Sequence, residues 1–259
     1  MTDGTQPIRA HVTGWGRYAP AGVLTNADLE RMVDTSDEWI VSRTGIRERR
    51  VAAANETTAS MAAVASMRAI RTAGIDPDDI DLILLATLTP DYWMPSTAAL
   101  VKEAIGNKRA AAMDVAAACS GFVYAFATAQ AYITSGIAKH VLVIGAELLT
   151  RFLDYTDRST CILFGDGAGA VVLERTPQRG FLGFELGADG GGGIHLSLPG
   201  SGSRRIEDAT GNGYVHMNGR EVFKFATRVL VSSAEAVLDR CGVSVDEVDV
   251  YIPHQIAGA

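Results

Sequence analysis

Cys119 stands between an apolar stretch, "AAAMDV" (110 to 115), and a helix-like run, "SGFVYAFATAQAYITSG" (120 to 136). A thiol at that junction points at the first turn of a helix, where unpaired backbone N–H groups and the macrodipole favour negative charge. A depressed thiol pKa and a thiolate nucleophile are the expectation. The small neighbours Ala116, Ala117, Ala118, Ser120 and Gly121 let a carbonyl approach closely and leave backbone N–H groups open as an oxyanion hole. A buried core thiol is the competing reading of a lone Cys in an Ala-rich stretch. His254 follows "VDVYIP" (248 to 253). That places it just past the carboxyl end of an expected buried strand, where open parallel sheets present ligand-facing groups. A hydrogen-bonded structural imidazole is the alternative there. His11, His140, His195 and His216 have no comparable context, and no pair of them has metal-ligand spacing.

The elements that must hold these residues follow from periodicity. "IRAHVTGWG", "DLILLAT", "AAAMDV", "HVLVIGAE" and "GAGAVVLE" read as strands. "TTASMAAVASMRAIRTAG", "STAALVKEAIG" and the run after Cys119 read as helices. Strands alternating with helices predict an α/β fold with a mostly parallel sheet covered on both faces. An internal repeat adds to this. "GIDPDDIDLILLA" (74 to 86) aligns without a gap with "GVSVDEVDVYIPH" (242 to 254), an offset of 168 from Gly74 to Gly242, each after an amphipathic helix.

Composition narrows the function classes. A chain of 259 residues with 47% hydrophobic content can bury a large core in one or two domains. No apolar run reaches the roughly 18 residues of a membrane span, and "MTDGTQPIRA" lacks the regions of a signal peptide, so a cytoplasmic protein without membrane partners is expected. The three cysteines, at 119, 161 and 241, form neither a disulfide framework nor a CxxC pair, and Cys161 and Cys241 read as structural. A net charge of −7 argues against a nucleic acid partner. "GDGAGA" (165 to 170) lacks the spacing of a dinucleotide or P-loop motif and reads as close packing of turn on strand.

Four long segments carry a family resemblance in one order: "DTSDEWIVSRTGIRERR" (34 to 50), "MDVAAACSGFVYAFATAQAYI" (113 to 133), "DRSTCILFGDGAGAVVLE" (157 to 174), and "GREVFKFA" followed by "YIPHQ" (219 to 255). Together they resemble the beta-ketoacyl-acyl carrier protein synthase III family of thiolase-fold condensing enzymes. The resemblance implies a thiolase-like duplicated fold of two similar βαβαβαββ halves in five α/β/α/β/α layers. Residues 1–175 would form the first half with the nucleophile and residues 176–259 an incomplete second half. It implies Cys119 as nucleophile and His254 as its catalytic partner, acting without a cofactor or metal on an acyl-CoA primer and malonyl-acyl carrier protein. Trp39 and Arg158 match the pair that sandwiches the CoA adenine, Arg43 a basic residue at the nucleotide end, and Gly219 a residue lining the pantetheine tunnel.

Arg220, Lys224 and Arg228 recur every four residues along one expected helix face. Lys224 matches a family residue implicated in docking the acidic carrier protein, and a solvated helix face is the competing reading. Met94 aligns with a position that reaches across a homodimer to close the partner's acyl pocket. The chain departs from the family where the pattern His-Gln-Ala-Asn becomes His254-Gln255-Ile256-Ala257. The family's catalytic Asn and C-terminal glycine loop have no counterpart, so the chain reads as truncated and is expected not to turn over alone. Two other readings stand beside this one. One is a CoA-only condensing enzyme of the hydroxymethylglutaryl-CoA or plant polyketide synthase type; the other is an inactive CoA-binding relative. A serine hydrolase is disfavoured because no GxSxG elbow is present.

Overall fold

The computed structural model describes residues 9–177, 180–199, 203 and 213–254. In chain order its elements are β1 (Arg9–Tyr18), β2 (Gly22–Thr25), α1 (Asn26–Leu29), α2 (Asp37–Thr44), β3 (Glu48–Val51), α3 (Thr58–Ala73), β4 (Leu82–Ala86), α4 (Thr97–Ala104), β5 (Ala111–Val115), α5 (Gly121–Thr134), β6 (His140–Leu148), β7 (Asp166–Thr176), β8 (Leu196–Ser197), β9 (His216–Met217) and α6 (Gly219–Cys241). They fall into two compact units. One comprises Met1–Ala21, Ala52–Leu148 and Asp166–Phe184; the other Gly22–Val51, Leu149–Gly165 and Glu185–Ala259.

The first unit is a five-stranded sheet in the order β1-β7-β6-β4-β5. β5, β4 and β6 are parallel, and β7 runs against both of its neighbours. Four of the five strands therefore share one direction, as the alternating pattern predicts, and β7 alone is reversed. Alternate residues of β4 and β6 feed two separate cores. Leu82, Leu84, Val141 and Val143 pack with Ala125, Ala129 and Ile133 of α5. Ile83, Leu85, Leu142 and Ile144 pack on the opposite face with Ala62, Ala65, Ala69 and Ile70 of α3 and Ala98 and Val101 of α4. Burial on both faces explains why these strands read as continuous apolar runs.

Two glycines set how closely α3 lies on β1. A Cβ placed on Gly16 would stand 2.2 Å from the Ala65 carbonyl oxygen, and one on Gly14 2.2 Å from that of Ala69. Gly16→Ala must therefore push helix from strand and is expected to cost about 1–3 kcal/mol of stability, read as a lowered urea midpoint.

In the second unit β2 and β3 form an antiparallel ladder. Leu29, Ile40, Cys161 and Ile162 make its core, so Cys161 is a packing thiol as expected. Arg49 is buried there, its Nε donating to the Ile162 carbonyl at 2.8 Å and its guanidinium also donating to Asn26.

The sequence repeat is also a repeat of local structure. Gly74 and Gly242 cap α3 and α6 in the left-handed region, at φ 71° and 62°. The N–H of Ile75 donates to Ile70 as that of Val243 does to Leu238, and 3₁₀ turns follow at Pro77–Asp79 and Val245–Glu247. The correspondence then stops. Leu82 and Leu84 are buried in β4, whereas their counterparts Val250 and Ile252 are 70% and 86% exposed and belong to no strand. This corrects the expectation of a buried strand before His254. An extended apolar segment becomes a strand only where neighbours complete its ladder, as β5 and β6 do for β4.

Candidate active site

Cys119 lies in a 3₁₀ turn, Ala118–Ser120, between β5 and α5. Ala118 has φ 47°, the one positive value among the described non-glycine residues. A left-handed alanine costs on the order of 1 kcal/mol or more, and such strain collects where a side chain must be presented in a set direction. Here it presents Cys119, which is exposed. The Ser120 side chain does not cap α5; its Oγ donates back to the Ala117 carbonyl at 2.9 Å. Gly121 seats the helix start on the sheet, since a Cβ there would stand 3.1 Å from Ala86 Cβ and 3.6 Å from the Val115 carbonyl oxygen.

The thiol's ionisation differs from the sequence expectation. Although the residue is exposed, desolvation of the thiol raises its pKa. Its own backbone N–H works against that rise, and the negative charge of Glu147 adds to it. The α-helix itself begins only at Gly121, two residues after the thiol. Glu147 had no motif to mark it. It lies near the carboxyl end of β6, and its Oε1 accepts from Leu88 N–H at 2.7 Å while Oε2 accepts from the Thr89 hydroxyl at 2.8 Å. Burial pushes its carboxyl up to about 7, against those hydrogen bonds.

His254 belongs to the second unit and is exposed, and desolvation lowers its imidazole pKa, favouring the neutral ring near pH 7. Gln255 through Ala259 lie outside the described residues.

Trp39 and Arg158, matched only through the resemblance, do come together. The Arg158 guanidinium carbon stands 5.6 Å from the Trp39 ring centroid, and its Nη1 donates to the Asp34 carbonyl at 2.8 Å. Arg43 is exposed one turn further along α2 from Trp39. Gly219 opens α6, and Arg220, Lys224 and Arg228 are exposed along that helix; Lys224 pairs with Glu221 at 2.7 Å. Met94 is 86% exposed beside Tyr92 and Trp93. Among the described residues no cluster of His, Cys, Asp and Glu could hold a metal, and no helix is long and apolar enough to cross a membrane.

The comparisons with known proteins bear on this arrangement directly. The 3-oxoacyl-[acyl-carrier-protein (ACP)] synthase III family profile matches residues 113–190, the span from β5 through the Cys119 turn to β7 and beyond. The beta-ketoacyl-[acyl-carrier-protein] synthase III of Geobacillus kaustophilus is 52% identical over 95% of this chain and 76% of its own length. The chain belongs to this family. Among solved structures, 3-oxoacyl-[acyl-carrier-protein] synthase III from Aquifex aeolicus superposes with a TM-score of 0.88 at 47% identity, covering 96% of this chain and 77% of that one. A priming beta-ketosynthase of a polyketide biosynthetic pathway superposes at 0.90 with 35% identity, covering 96% and 75%. The fold is thiolase-like, and the chain is an acyltransferase of the condensing class.

Proposed function

We propose that this protein joins an acyl-CoA primer to malonyl-acyl carrier protein by decarboxylative Claisen condensation, through an acyl group carried on Cys119. The observation that carries this reading is the exposed thiol on a strained turn at the head of an uncapped helix, at the carboxyl ends of parallel strands. Cys119 sulfur attacks the primer thioester, a new S–C bond forms, and CoA leaves with the thiol proton. Loss of CO2 from the malonyl group yields an enolate, whose oxygen the neutral His254 ring stabilises by donating its N–H. The enolate carbon attacks the acyl-Cys carbonyl, and the S–C bond breaks to release 3-oxoacyl carrier protein. Backbone N–H groups at the start of α5 stabilise the tetrahedral oxyanion. No cofactor takes part.

Trp39 and Arg158 hold the adenine of CoA, with Arg43 toward its phosphates and Gly219 along the pantetheine. A base inserted between Trp39 and Arg158 needs about 7 Å, two van der Waals spacings of about 3.5 Å, so Arg158 swings outward on binding. Trp39→Ala is expected to raise the KM for primer CoA about tenfold with little change in kcat, measured by steady-state kinetics.

Arg220, Lys224 and Arg228 form the docking face for the acidic carrier. Reversing all three to Glu is expected to raise the KM for malonyl carrier protein about tenfold at low salt while sparing primer acylation. Equal loss in both half-reactions would assign that face to the fold instead. We also infer a cytoplasmic homodimer in which Met94 reaches the partner's acyl pocket, supported by the exposure of Tyr92, Trp93 and Met94. Residues 1–175 and 176–259 are read as belonging to two similar thiolase-like halves, supported by the matched caps and turns at an offset of 168 from Gly74 to Gly242. The likeness to a polyketide priming enzyme favours a second reading, the same condensation at the start of a polyketide pathway.

A further inference from the structure

Glu147 faces the nucleophile's side of the sheet. Along β6 the residues Val141 and Val143 pack with α5, and Gly145, next on that side, lies under Phe122, the second residue of α5. Glu147 follows two residues later and so points to the same face. The three parallel strands β5, β4 and β6 are adjacent, and their carboxyl ends lead respectively into the Cys119 turn, the Leu88–Thr89 turn and Glu147. The Leu88–Thr89 turn thus leaves from the middle strand and is held by both carboxylate oxygens. Thr89 Oγ1 in turn accepts from Leu148 N–H at 2.8 Å, and the Thr58 hydroxyl donates to the Thr89 carbonyl at 2.6 Å.

We propose that Glu147 is a positioning residue for the Cys119 reaction: its two oxygens hold the Leu88–Thr89 turn at the mouth of the parallel strands, and it places a negative charge on the face of the sheet that presents the Cys119 turn. This rests on the reading of Cys119 as the nucleophile.

A carboxylate, unlike a neutral acid, accepts from both donors without offering a proton of its own. The same negative charge disfavours a thiolate on the facing turn. Cys119 is the titrating group on the neighbouring turn that feels this charge, in addition to its own desolvation. From β4's turn come Leu88 and Thr89, and across the ladder on β7 lies Gly167, none of which titrates near neutrality. Asp91, further along the same segment, is engaged by Ala59 N–H at 2.8 Å. A thiol held back in this way stays protonated and unreactive until a base or a bound substrate shifts the balance, which protects an exposed nucleophile from adventitious oxidation and alkylation.

The test is the pH profile of Cys119 alkylation by iodoacetamide, read by peptide mass spectrometry, in the wild-type chain, Glu147→Gln and Glu147→Asp. Gln keeps the shape, accepts from Leu88 N–H, donates to Thr89 and carries no charge. Its midpoint is expected to fall by about half a pH unit, about a threefold faster reaction on the acid side. Asp keeps the charge but is one methylene short, so its midpoint stays within about 0.2 units of wild type while primer acylation slows. An unmoved midpoint in Glu147→Gln, or a fall in Glu147→Asp matching that expected for Gln, overturns the proposal and leaves the nucleophile intact. A Cys119 that takes up no label at any pH in any of the three proteins overturns both.

Discussion

Cys119→Ala is expected to abolish covalent labelling by an acyl-CoA and to lower condensation by about a thousandfold or more, because it removes the sulfur on which the acyl intermediate is carried. Intact-protein mass spectrometry after incubation with acetyl-CoA measures the adduct directly. The controls come from the structure. Cys161 is buried in the second unit's core, and Cys241 ends α6 half-buried. Cys241→Ala should label like wild type. Cys161→Ala should also label, after a loss of stability of about 1 kcal/mol from the small cavity it leaves. An acyl adduct that persists on Cys119→Ala removes the assignment, whatever the kinetics show. The raised thiol pKa sharpens the expectation. Labelling should climb with pH across the neutral range, since burial and Glu147 hold the sulfur protonated there.

The parts that were legible in the sequence are those fixed by local pattern. "LILLA" becomes β4, buried at all five positions, because only a strand covered on both faces uses an unbroken apolar run. The strand-to-helix junction that singled out Cys119 is present, and the repeat from Gly74 to Gly242 is matched down to its capping hydrogen bonds. What was not legible depends on distant partners. "VDVYIP" has the composition of a buried strand, yet burial is supplied by neighbouring strands and not by the segment itself. Trp39 and Arg158 lie far apart in the chain, and their contact was reached only through the resemblance. Glu147 reads as an ordinary polar stop to a strand. Its importance rests on a turn 59 residues earlier, whose backbone donor at Leu88 carries no sequence signal. Ala118 is a case of the local rule failing where function lies, since alanine disfavours the conformation it adopts.

Glu147 should also make the protein less stable as pH rises from acid to neutral, the reverse of the usual carboxylate. Its folded pKa of about 7 exceeds the ordinary glutamate value of 4.5, so the folded chain binds this proton more tightly than the unfolded chain does. The contribution is therefore fully present below about pH 4.5, declines between about 4.5 and 7, and is gone above. At 1.36 kcal/mol per pH unit the loss is about 3 kcal/mol at most, reduced by whatever solvent the half-buried side chain retains. That is a large share of a domain's typical 5–15 kcal/mol. Glu147→Gln removes the titration while keeping the shape and the acceptor for Leu88 N–H. Urea midpoints of the two proteins, taken at pH 5, 6, 7 and 8, should diverge in favour of the variant up to about pH 7 and then run parallel. Parallel curves throughout would show that the folded protein leaves Glu147 near its ordinary pKa. A carboxylate that costs stability at the pH where the enzyme works is what a residue kept for chemistry looks like, because packing alone would favour a neutral side chain at that position.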